Sequence, residues 1–195
     1  MGYVVVGCQL LIGLVFLVAS VSKLRSGRAF AEFNDVLLEV RALTPAWVRP
    51  VALSLTLSEL AVAALLIVPF ITGLPEGARW HLAAGGGFAI AVALLIAFTA
   101  YIFTALRREV RASCRCFALS SAPLGVPHMV RNGLLAAAAL TGLLAPRSPD
   151  ALDPAGLVVT ATVSVVLAVL VMVFDEIVSL FAPAGLAARG VPPTN

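Results

Sequence analysis

No charged residue interrupts the chain from Tyr3 to Ser22, and apolar runs recur at Val51–Thr72, His81–Leu106, Met129–Ala145 and Leu157–Phe174. A helix needs about 20 apolar residues to cross the hydrocarbon core. Backbone groups in lipid must be satisfied within the segment, and none of these runs alternates like a barrel strand. The pattern therefore predicts an all-α integral membrane protein, a five-span transmembrane helical bundle. The fourth run opens with Arg131 and Asn132, so Arg131 is expected to reach outward to the headgroups. Between the first two runs, Phe30, Phe33, Leu37 and Val40 recur at helical spacing, with Glu32, Asp35 and Glu39 between them. That spacing predicts an amphipathic helix lying along the membrane surface, or a short helix packed over the bundle. Pro45, Pro50, Pro69 and Pro75 are expected to punctuate the ends of the second span. Gly85–Gly87 give the third a face for close helix approach.

Composition agrees. Of 195 residues, 61% are hydrophobic and 12% charged, about half the charged share of soluble domains. The net charge of +3 does not describe a nucleic-acid binder, because the basic residues cluster at the ends of apolar runs. Lys23, Arg25 and Arg28 follow the first run rather than precede it, so it reads as a retained span and not a cleaved signal. If all five runs cross, Arg79 and Arg147 stand on one side and every other Lys and Arg on the other. The positive-inside rule then predicts N-out/C-in. One bundle over residues 1–186, a loop over 107–128 and a loose tail over 187–195 is the economical organisation.

The three cysteines are too few for a disulfide scaffold. Cys114 and Cys116 are one residue apart in a basic loop with Arg107, Arg108, Arg111 and Arg115. A ring closed between such near neighbours is geometrically constrained and so easier to reduce. Nearby arginines favour thiolate, the attacking species. Electron exchange suits this pair better than permanent stapling; topology-anchoring arginines beside inert thiols are the alternative. No metal is expected, because Cys114, Cys116 and His128 fall short of four ligands, and His128 reads as a surface or loop residue. The prolines of Ser120–Arg131 are expected to hold that segment in turns.

Glu59 is the only acid within the second run. A carboxylate there is costly and should face the bundle interior with a partner, with Lys23 the nearest candidate and Gln9 and Tyr101 as hydrogen-bonding neighbours. It could handle protons, bind a polar substrate or simply pin helices together. Cys8, alone in the first run, reads as a packing residue.

Taken together, Ser22-Lys23-Leu24-Arg25, Ser58-Glu59-Leu60, Cys114-Arg115-Cys116-Phe117 and Val130-Arg131-Asn132-Gly133 resemble the MauE branch of the DoxX-like membrane family. The family usually has glycine where this chain has Ala118. The resemblance implies a redox-associated protein of a bacterial-type inner membrane with Cys114 and Cys116 as its working thiols. It also implies a thioredoxin-like partner and a link to maturation of the disulfide-rich subunit of methylamine dehydrogenase. Lys23 and Glu59 would organise the interior, and Arg115, Phe117, Arg131 and Asn132 would support the loop. No cofactor is required, although a quinone-coupled thiol oxidase is the main alternative. A membrane assembly factor and a small-solute transporter are the others.

Overall fold

The computed structural model describes residues 1–39, 44–72, 78–107, 126–145 and 153–181. All the secondary structure among them is helical: α1 (Gly2–Leu24), α2 (Gly27–Glu39), α3 (Pro45–Thr72), α4 (Ala78–Arg107), α5 (Val126–Leu144) and α6 (Pro154–Phe181). Four stretches are long and apolar enough to cross a bilayer: Gly2–Leu24, Pro45–Pro69, Leu82–Arg107 and Pro154–Phe174. The chain is thus a multi-pass membrane protein. Exposed Trp47 beside Arg49, and Arg107 lying 4.5 Å over the Phe103 ring, suit membrane interfaces.

The segment Met129–Ala145 does form a helix, α5, but is not among these four. Its first two turns carry His128, Arg131 and Asn132, which dilute its apolar character. All three side chains are buried against neighbouring helices. Arg131, at 4% exposure, therefore does not extend to the headgroups as the sequence suggested. The expected turn at Pro127 and His128 is also corrected. Pro127 sits in the first turn of α5, where its missing N–H has no intrahelical acceptor to lose. His128 is consequently a buried helical residue, neither loop nor surface. Likewise α3 runs through Pro50 and Pro69 instead of ending at them; each lies within two turns of a terminus, where few backbone bonds are forfeited.

Among the described residues, α1 packs on every other helix. Its residues Ile12, Val15, Phe16 and Ala19 are fully buried. Helices α1 and α4 each pack on both α3 and α5, closing a ring that direct α1–α4 contact divides, and α3 and α5 do not pack on each other. Helix α6 lies outside the ring against α1 and α5, with most of its valines exposed. In lipid, apolar burial gives little drive to helix association, so close fit and polar contacts hold the bundle. Gly87 supplies the close fit between α4 and α3: a Cβ there would lie 2.8 Å from Leu66. Gly86 faces open space. Ser164 Oγ donates to Gly7 O at 3.2 Å and ties α6 to α1.

Helix α2 settles one open alternative. Its Phe33 and Leu37 are buried with Val48 and Ala52 of α3, and Tyr101 OH of α4 donates to Val36 O at 2.6 Å. It is a packing helix that covers one end of the ring. Its outer face carries the exposed ion pair Arg28–Glu32 at 3.4 Å.

Candidate functional site

Lys23 lies in the last turn of α1, where a charge at the end of an apolar run needs a partner to receive it. Its side chain is 3% exposed, and Nζ donates to Glu59 Oε1 of α3 at 2.5 Å. The same ammonium lies 4.7 Å from the Phe33 ring centroid and 5.5 Å from that of Phe98. A lysine at an interface usually snorkels to water; here α2 lies across the exit and the carboxylate draws the charge inward. Glu59 is fully buried. A buried pair must offset heavy desolvation, which it does only with close geometry and further contacts. The two phenyl faces provide such contacts through cation–π attraction.

The cage has polar neighbours that turn away from it. Ser20 and Thr56, one turn from Lys23 and Glu59, donate to the backbone oxygens of Leu17 and Ala52. Gln9 Nε2 donates to Leu66 O at 2.8 Å, and Tyr101 OH to Val36 O, so the expected hydrogen bonds from Gln9 and Tyr101 to the carboxylate are not made. Among the described residues, Glu59 Oε2, Asn132 Oδ1 and Asn34 Oδ1 are buried without a hydrogen-bond partner.

Helix α5 brings its polar first turns to the same end of the ring. Met129 packs on Ile102 and Ala105, while the space beside Gly142 is filled by Phe88. This antiparallel register sets Asn132 level with Phe98, the ring that faces Lys23. Both ends of the segment 108–125, at Arg107 and Val126, therefore attach at the Lys23 end of the bundle.

Of the residues singled out in sequence, Lys23 and Glu59 are brought into contact, and Arg131 and Asn132 are buried at the same end. Cys114, Arg115, Cys116 and Phe117 lie outside the described residues. Cys8 is half-buried beside the core and in no disulfide. Among the described residues, no group of three His, Cys, Asp or Glu side chains could hold a metal ion. Sequence reasoning missed Phe33 and Phe98 as walls of the ammonium cage. The signal was present: Phe33 stands on the apolar face of the helix that follows Lys23.

Fold and site define a polytopic helical membrane protein with an ion pair caged under an amphipathic helix. The family profile "Methylamine utilisation protein MauE" matches residues 1–145, which take in α1 to α5. The chain belongs to the MauE family. No curated protein and no solved structure matches it.

Proposed function

We propose that this MauE-family chain is a membrane thiol–disulfide relay serving methylamine utilisation, with Cys114 and Cys116 as its exchanging pair. The supporting observation is the attachment of their segment, through Arg107 and Val126, to the end of the bundle stiffened by the Lys23–Glu59 pair. In the relay, one thiolate attacks a partner disulfide and forms a mixed disulfide, expelling one partner thiolate. The second cysteine then attacks its neighbour and expels the other partner sulfur. Two electrons pass from the pair to the partner, and Cys114–Cys116 closes. A thioredoxin-like protein then reduces the closed disulfide again by the same exchange in reverse, and maturation of the disulfide-rich subunit of methylamine dehydrogenase is the purpose.

Five crossings, with α5 as the fourth, place the segment on the cytoplasmic face of a bacterial inner membrane, N-out/C-in. Reducing equivalents then enter from the cytoplasm. Placement in a DoxX-like branch belongs to the same reading, as do supporting roles for Arg115, Phe117, Arg131 and Asn132.

The test is trapping. With Cys116→Ser or Cys114→Ser, one variant should accumulate a mixed disulfide with its partner in membranes, and the double variant should accumulate none. If the double variant supports dehydrogenase maturation as well as wild type, the relay is wrong. Coupling to a quinone in place of a protein acceptor would appear as reoxidation of the pair that follows the quinone pool.

A further inference from the structure

Lys23 is the single lysine of a chain that carries twelve arginines. Arginine suits a buried ion pair better, because its planar fork binds both carboxylate oxygens at once, whereas an ammonium is a compact point charge. At position 23 the chain nevertheless uses the ammonium. Its Nζ lies 2.5 Å from Glu59 Oε1, 4.7 Å from the Phe33 ring centroid and 5.5 Å from that of Phe98. One nitrogen position is thus within reach of all three groups, which come from α3, α2 and α4. An ammonium has three N–H donors, yet among the described residues Glu59 Oε2 is buried without a hydrogen-bond partner. A side chain tethered to α1 meets the carboxylate from one direction; an untethered ammonium can turn to both oxygens.

We infer that the Glu59 carboxylate and the Phe33 and Phe98 faces form a binding site for primary alkylammonium groups, in which Lys23 is the built-in occupant and gives way to a free one. Aromatic faces are the surfaces on which ammonium ligands are recognised, and the carboxylate selects those that still carry N–H. The size fits, because the Cε–Nζ end of Lys23 is itself a methylammonium group. Lysine at a helix end swings its head to water along its apolar stem, and that end group is the volume it leaves. Helix α2 is the cover to be passed, held by Phe33, Leu37 and the hydrogen bond from Tyr101 to Val36 O. Exchange of one ammonium for another leaves the charge of the cage unchanged, so the buried Arg131 and His128 of α5 meet no additional cation. Two sources carry this chemistry: a small alkylammonium ion from water, and the ethanolamine headgroup of a phospholipid, which ends in the same group. The site stands on the caged pair and does not depend on the thiol relay.

The lone lysine makes the test direct, since lysine carrying a carbon NMR label at Cε gives one side-chain signal, shifted by the two rings while caged. In phosphatidylcholine nanodiscs, methylammonium chloride should move that signal saturably to the position of a water-exposed lysine, and tetramethylammonium should not; that result assigns the free ion. Movement on partial replacement of the lipid by phosphatidylethanolamine, with no amine added, assigns the headgroup. Lys23→Ala vacates the cage and should bind methylammonium about tenfold tighter than wild type, read as thermal stabilisation that Glu59→Gln in the same background abolishes. The wild-type spectra need no variant to fold. A lysine signal that neither amine source moves overturns the site, as does tetramethylammonium acting as well as methylammonium, or stabilisation of Lys23→Ala that survives Glu59→Gln.

Discussion

The ring of Phe88 on α4 fills the space that any side chain at position 142 of α5 would need; a Cβ on Gly142 would collide with its Cζ, Cε1 and Cε2. Phe88 is fully buried, so the collision cannot be relieved by swinging the ring into lipid. This contact fixes α4 against α5, the two helices from which the cysteine-bearing segment hangs.

Gly142→Ala should therefore lower stability by about 1–3 kcal/mol, the usual cost of overpacking. Gly133→Ala, on the same helix with open space around it, should be neutral or slightly stabilising through helix propensity. Thermal unfolding of the detergent-solubilised protein compares the two. Equal losses would show that Phe88 is not the cause.

The caged ion pair predicts a non-additive cycle. Lys23→Met or Glu59→Leu alone leaves a buried charge without its partner and should cost about 3–5 kcal/mol. Combining them should recover much of that loss, since an apolar pair of similar volume avoids the desolvation of both charges. Reversible unfolding in mixed micelles measures the coupling; simple addition of the two losses would mean the charges act separately.

Phe33→Leu keeps an apolar side chain on α2 but removes the ring facing Lys23. The expected loss exceeds by about 0.5–2 kcal/mol that of the same change in a Lys23→Met background, where only the packing of Phe33 on Val48 and Ala52 is lost. Equal losses in the two backgrounds would assign Phe33 to packing alone.

For the thiols, impermeant maleimide applied to sealed inverted vesicles should label Cys114 and Cys116 after reduction, and not in right-side-out vesicles. Labelling from the outside alone would reverse the proposed direction of electron entry. Cys8, half-buried in α1, should stay unlabelled from either side.

What the sequence disclosed depended on how strongly a residue violated its surroundings. Lys23 and Glu59 are charges against apolar runs, and their mismatch with lipid sufficed to nominate them as partners. The period of Phe30, Phe33 and Leu37 was enough to find α2, but periodicity cannot tell which surface an apolar stripe will cover. Packing on Val48, Ala52 and Tyr101 decided that. Pro127 and His128 misled because proline breaks a helix interior yet suits its first turn, and nothing local marks which applies. Arg131 misled for a related reason: snorkelling is the default at a helix end, and only tertiary packing overrides it. Asn132 was named as a brace for the loop, whereas its buried oxygen emerges only once α5 is set in register beside α4.

The central position of α1 bears on how the molecule is assembled. Helix α1, made before the other described helices, is also the one they all pack against, and its Lys23 meets Glu59 only when α3 arrives. A nascent chain paused between these two events holds an unmatched cation at the bilayer edge. Biogenesis of this protein thus passes through an interval of uncompensated charge that closes with insertion of Glu59.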